Sequence, residues 1–200
     1  AEWIKGCDFD DMFANVYSLR CIIDALEQGQ AFDLLWFNIY AEYENKRWLK
    51  NERDPVVLHG KVFRTSFLTS KNLHFNEELT WCEDSAFLSL VEMEIDVQRI
   101  GKIQSEAVIY TWIYRDGSLC NRPEIKFENL KSFFKRHKYV QDEFLKHGAI
   151  DQYNTMTVRI MADAYYTLEI AKLKEDTSEH RKDGICSYPE HRADILKVSN

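Results

Sequence analysis

The run Phe32-Asp33-Leu34-Leu35-Trp36-Phe37-Asn38-Ile39-Tyr40 is apolar or aromatic on neighbouring residues rather than on alternate ones. That pattern predicts a strand buried on much of both faces, an arrangement typical of layered α/β folds. The flanking segments carry both periodicities. Phe13, Val16, Tyr17, Leu19, Ile23 and Leu26 recur at near-helical spacing and Gln28-Gly29-Gln30 ends them, so a helix is expected there, capped by the aspartates just upstream. Residues 42–54 are polar and read as an excursion or loop. Residues 55–64 read as extended around Gly60, and 65–70 and 84–93 as helices. Strands are expected at 97–100 and 107–114, the second ended by Asp116-Gly117-Ser118. The first 120 residues are therefore expected to be α/β.

Beyond them the pattern turns helical. Pro123 stands where a helix can start, Ile125, Phe127, Leu130, Phe133 and Phe134 follow, and further helices are expected at 139–147 and 154–174. The organisation expected is a catalytic part over 1–120, a helical extension over 121–174 and a polar tail over 175–200, where a charged stretch lacks large apolar residues.

Composition narrows the class. Two hundred residues at 45% hydrophobic content can bury a sizeable core, and a net charge of −7 gives no general attraction to nucleic acid or anionic membranes. No apolar stretch approaches the roughly 20 residues that span a bilayer. A cytoplasmic protein is expected. Five widely spaced cysteines with no CxxC pair fit neither a disulfide framework nor a structural zinc site. Ala1 is not a methionine and an acidic motif begins within ten residues of it, so the sequence is expected to be a fragment lacking an upstream part.

Two acidic strings carry the candidate chemistry: Asp8-Phe9-Asp10-Asp11 and Glu83-Asp84. Each, alone, reads as a helix N-terminus, where carboxylates satisfy free amides and the dipole. Alternatively, Asp8 and Asp10 project to one side of an extended segment and could hold Mg²⁺ or Mn²⁺. Asp84 would be a general base, although a helix terminus lowers its pKa and weakens it in that role. His59, Lys61 and Arg64 around Gly60 could contact a diphosphate or an acceptor, or simply end a strand. Tyr110, Trp112 and Tyr114 alternate, which core packing also explains. His180, Cys186, Glu190 and His191 match no zinc spacing.

The order of these pieces resembles the inverting GT-A glycosyltransferases of family 2. The resemblance runs through Asp8-Phe9-Asp10-Asp11, the strand with Asp33, the segment Lys61-Val62-Phe63-Arg64-Thr65-Ser66-Phe67-Leu68, then Asn72, Phe75 to Leu79, Glu83-Asp84-Ser85-Ala86-Phe87 and Tyr110 to Ser118. It implies the carboxyl-terminal part of a GT-A domain, Rossmann-like with a mixed sheet, followed by a helical region. Asp8, Asp10 and Asp11 would belong to a site for Mn²⁺ or Mg²⁺, with Asp10 the direct ligand and Asp11 a cap or ligand. Asp8, Lys61 and Arg64 would meet the donor, a nucleoside-diphosphate sugar and foremost a UDP-sugar. Asp84 would be the general base toward an acceptor hydroxyl, with Glu83 orienting the acceptor or supporting Asp84. The expected activity is metal-dependent hexosyl or hexosaminyl transfer. The helical tail is a candidate contact for an oligomer or partner domain. The competing readings are a catalytically silent module of the same fold and a D-x-D phosphatase, whose pattern Gly6-Cys7 and Met12 fit poorly.

Overall fold

The structure is a computed structural model that describes residues 1–28, 31–43, 46–50, 57–103, 107–114 and 126–176. The chain divides into two compact units, 1–149 and 150–200.

The first unit holds two four-stranded mixed sheets. The strands are β1 (Trp3–Ile4), β2 (Met12–Phe13), β3 (Leu34–Trp36), β4 (Asn38–Tyr43), β5 (Lys46–Lys50), β6 (Lys61–Arg64), β7 (Ile100–Lys102) and β8 (Val108–Ile113). One sheet runs β1-β6-β3-β7 and the other β2-β8-β4-β5. The apolar run over 32–40 is thus two strands, with the chain changing sheets at Phe37. Leu34, Leu35, Phe37, Ile39 and Ala41 are all buried, as residues covered on both faces must be.

The crossing is held by backbone. Phe37 N–H donates to Gly60 O at 3.0 Å, and a Cβ on Gly60 would sit 2.8 Å from Phe37 O. Only glycine allows that approach. Directly after the crossing the register slips between Asn38 and Ile39, the local irregularity by which a strand bends into a new sheet. β7 and β8 follow the same course alongside, parallel to β3 and β4 respectively, and Ile103 N–H bonds Trp36 O at 2.9 Å.

Among the described residues, four helices complete this unit: α1 (Ser18–Glu27), α2 (Thr65–Ser70), α3 (Glu83–Glu94) and α4 (Lys126–Lys146). Ile22 of α1 joins Leu35, Phe37, Ile39, Val62, Ile103, Ile109 and Tyr110 in one core cluster. Each large side chain so buried contributes on the order of 1.5–3 kcal/mol. α3 packs against α4 and buries Ala86, Phe87, Leu88, Leu90 and Val91, too many neighbours in sequence for a one-sided helix. Phe87 meets Phe63 of β6 edge-on at 5.5 Å between centroids.

Several expectations are corrected. The helix after the acidic string starts at Ser18, with Tyr17 at its cap and no side-chain cap bond. Met12 and Phe13 instead pair with Thr111 and Tyr110, because Asp11 is committed to β8. In the polar stretch 42–54, β4 continues to Tyr43 and Lys46–Lys50 returns antiparallel to it. At 97–100 a 3-10 turn spans Val97–Arg99, with Asp96 accepting Gln98 N–H at 2.9 Å, and β7 begins only at Ile100. The helices expected around 125–134 and 139–147 are a single α4 over its described length. Pro123, Ile125, the Asp116-Gly117-Ser118 turn and residues 177–200 lie outside the described residues.

The second unit is described through α5 (Ile150–Asp176). Val158, Met161 and Tyr165 are exposed along it. No helix among the described residues is long and apolar enough to cross a membrane.

Candidate functional site

Tyr110 is the anchor of the site. Its ring is fully buried in the core cluster, and its hydroxyl emerges beside the loop that joins β1 to β2. That hydroxyl accepts Asp8 N–H at 3.1 Å and donates to Asp11 Oδ2 at 2.8 Å, while Cys7 Sγ lies 3.5 Å away. Burial raises the Tyr110 pKa, so the phenol keeps the proton it donates. Asp11 Oδ1 accepts Ile113 N–H at 2.8 Å. With its side chain almost wholly buried, Asp11 has its pKa raised by desolvation, against the pull of those two hydrogen bonds and of His59.

The loop is a turn, not an extended segment: Asp11 N–H bonds back to Asp8 O at 3.2 Å. A turn of that reach brings together residues three apart. Asp8 and Asp11 therefore share a side, in place of the Asp8 and Asp10 pairing that alternation predicts. His59 completes the group from the turn before β6. Its ring stacks on Tyr110, centroids 5.3 Å apart and planes 11° from parallel. His59 Nε2 approaches Asp8 Oδ2 to 3.1 Å and Asp11 Oδ2 to 3.7 Å. The nitrogen is buried and makes no hydrogen bond, since neither approach has the alignment of one.

One ligand atom from each of Asp8, Asp11 and His59 lies within 4.8 Å of the others, a set that could hold a cation. The donor chemistry fits a divalent ion: two carboxylate oxygens and an imidazole nitrogen with no other commitment. Asp10 is half-buried and outside this group. Lys5 adds a positive charge nearby, with Nζ 3.9 Å from the Tyr110 ring centroid. Burial lowers the Lys5 pKa to about 8, against the pull of Cys7, Asp11 and Asp8.

The second acidic string stands at the start of α3, after Cys82, whose φ of 60° turns the chain into the helix. Burial pushes Asp84 up to about 6, helped by the like charge of Glu83 and of Asp8 and opposed by His59. Both strings therefore act on one another electrostatically. The low pKa expected of a helix N-terminus is overridden by desolvation.

Lys61 and Arg64 are engaged in the sheet. Lys61 is buried and its Nζ donates to Val57 O at 2.6 Å. Arg64 Nε donates to Phe32 O at 2.6 Å, its Nη1 meets Glu2 at 3.0 Å, and the guanidinium covers Trp3. Asp33 takes a two-point ion pair from Arg99. His59 as a partner of the carboxylates, Tyr110 as their anchor and Lys5 are the additions that sequence reasoning missed. The only signal for His59 was its place beside Gly60, the residue at the sheet crossing.

Fold and site together define an α/β domain in which a loop between β1 and β2 and the turn before β6 bring two carboxylates and a histidine together. No protein-family profile and no curated protein matches the sequence. Among solved structures, it is similar to Staphylococcus aureus TarS. Against residues 1–349 of TarS the TM-score is 0.52 at 20% identity, over 72% of this chain and 41% of that one. Against the complex of that protein with UDP-GlcNAc the TM-score is 0.54 at 21% identity, over 72% and 43%. A TarS complex with UDP matches with a TM-score of 0.52 at 20% identity, over 72% and 41%. The chain spans less than half the length of these structures. The likeness is one of fold: over the part that aligns, this chain has the mixed α/β fold of TarS.

Proposed function

We propose that this chain carries the catalytic part of an inverting glycosyltransferase that moves a sugar from a nucleoside-diphosphate sugar to an acceptor hydroxyl. The observation that carries the reading is Asp84: a carboxylate raised to about 6 by burial, within electrostatic reach of Asp8 and His59 of the cluster. A base with that pKa is ionised at neutral pH and still holds a proton well. The TarS complexes with UDP and UDP-GlcNAc favour a UDP-sugar as donor.

The acceptor hydroxyl gives its proton to Asp84 as its oxygen bonds to the anomeric carbon. On the opposite face the bond from that carbon to the diphosphate oxygen breaks, and the configuration inverts. Glu83 keeps the Asp84 carboxylate basic through its like charge. Tyr110 holds Asp8 and Asp11 in place, and Lys5 offers positive charge beside them. Asp8, Asp11 and His59 would hold Mn²⁺ in preference to Mg²⁺, because an imidazole nitrogen suits the transition metal better. When bound, such an ion supplies neutralisation of the charge on the departing diphosphate.

Calorimetric titration tests this. Mn²⁺-dependent binding of UDP-GlcNAc or another nucleoside-diphosphate sugar is expected, and is expected to vanish in Asp8→Ala. Asp84→Asn is expected to bind donor normally and to transfer roughly a hundredfold more slowly. Absence of metal-dependent binding across the common sugar nucleotides rejects the reading.

A further inference from the structure

A concave site lies farther along α3. Segment 71–78, the carboxyl-terminal half of α3 and the end of α4 enclose a groove of about 560 Å³. That is the size of a small-molecule site.

Phe75 is its most telling residue. One face of the ring stacks on Phe87 at 4.5 Å, with planes 15° apart, yet Phe75 remains 40% exposed and lines the groove. An aromatic ring held rigidly on one face and open on the other is a platform for the C–H face of a sugar ring. Around it stand hydrogen-bonding side chains that suit hydroxyl groups: Asn76, Glu77 and Glu78 on the segment, Tyr139 and Glu143 on α4. Burial and the charge of Glu143 raise the Tyr139 pKa, which keeps its phenol a donor. The segment is fixed in shape. Asn76 Oδ1 accepts Glu78 N–H at 2.9 Å, and Lys135 of α4 donates to Glu78 O at 2.9 Å.

The charges of the groove indicate what enters it. Lys71 pairs with Glu94 at 2.8 Å and Lys146 with Glu143 at 3.4 Å, and His147 lies 3.1 Å from Glu94. With these cations matched and Glu77 and Glu78 on the wall, a phosphorylated or sulfated chain would meet net repulsion. A neutral, hydroxyl-rich chain would not. The groove is a site apart from Asp84: Leu90 and Met93 lie six and nine residues beyond it on α3, about 9 and about 14 Å along the axis, and are turned by about 240° and about 180° around it.

We infer that this groove binds a neutral oligosaccharide at a subsite separate from the reacting centre at Asp84. The inference stands on the groove itself and not on the transferase reading. NMR titration of the chain, without donor or metal, with maltohexaose, cellohexaose and chitohexaose reads binding directly. At least one is expected to shift resonances of segment 71–78 and to bind ten times more weakly, or worse, to Phe75→Ala and to Glu77→Gln. Glu77→Gln leaves the aromatic stack intact, so it decides the matter if Phe75→Ala fails to fold. Asp8→Ala is expected to lose the sugar nucleotide and keep the oligosaccharide, which separates the two readings. No binding of any of the three, binding unchanged in Glu77→Gln, or tighter binding of a sulfated hexasaccharide overturns the inference.

Discussion

Tyr110 and Asp11 stand 99 positions apart in the sequence and 2.8 Å apart in space, joined by a hydrogen bond from the phenol to a buried carboxylate. The same hydroxyl receives Asp8 N–H, so one oxygen of β8 fixes the Asp11 carboxylate and the Asp8 backbone of the candidate cation site. Tyr110→Phe keeps the packing and deletes that oxygen. A hydrogen bond to a charged group contributes about 1.5–3 kcal/mol, and the variant also leaves Asp8 N–H without its partner. Urea unfolding should show a loss of about 2–4 kcal/mol, accompanied by weaker Mn²⁺ binding. An unchanged metal affinity in the folded variant would mean that Tyr110 supports the fold alone.

The identity of the ligands is testable without any donor. The turn at Asp8 places Asp11 and His59 with it and leaves Asp10 outside the group. His59→Ala and Asp11→Ala should each weaken Mn²⁺ binding by roughly tenfold or more, on the scale of coordination-site losses. Asp10→Ala should leave it within a few-fold. The reverse ranking, measured by calorimetry or by the Mn²⁺ electron paramagnetic resonance signal, would return the site to the alternating aspartates.

How much of this was legible depended on range. The helices at 65–70 and 84–93 announced themselves through local periodicity, and the doubly buried run around Leu34 and Leu35 through its lack of period. The change of sheets at Phe37 did not, because it depends on the backbone of Gly60 coming within hydrogen-bonding range. Asp11 looked like a helix cap for the same reason. Its partners, Tyr110 and Ile113, are invisible to any local window, and they outcompete the cap because burial leaves the carboxylate no water. His59 carried no pattern of its own; its role follows from stacking on a residue fifty-one positions away.

Asp84 should show a conflict between stability and activity. Its folded pKa of about 6 lies above the ordinary 3.8, so the native state favours the protonated form. Below pH 4 the group carries no penalty. As pH rises from about 4 to about 6 the unfolded chain ionises before the folded one, and stability falls by up to about 3 kcal/mol and then levels off. Asp84→Asn removes that charge. Its melting temperature should exceed the wild type at pH 7 by several degrees and match it near pH 4. In the wild type, kcat/KM should rise with pH through about 6 as the base ionises. Equal stability at pH 7, or a rate profile without that limb, would show that burial does not tune Asp84.

Gly60 links the fold to the site most directly. Its missing side chain lets the Phe37 backbone come close, and its neighbour His59 is aimed by that contact. In Gly60→Ala the new Cβ falls 2.8 Å from a backbone oxygen that no rotamer change can move, so the turn or the sheet crossing must shift. Overpacking of this kind costs about 1–3 kcal/mol. Gly101→Ala is the control: its Cβ would crowd the Phe32 ring at 2.7 Å, a side-chain clash away from the carboxylates. Both variants should lose stability in urea, but only Gly60→Ala should also lose Mn²⁺ affinity, because only there does the displaced backbone carry a ligand. Equal losses of metal binding in the two would indicate that the site responds to general loosening of the sheet and not to the position of His59.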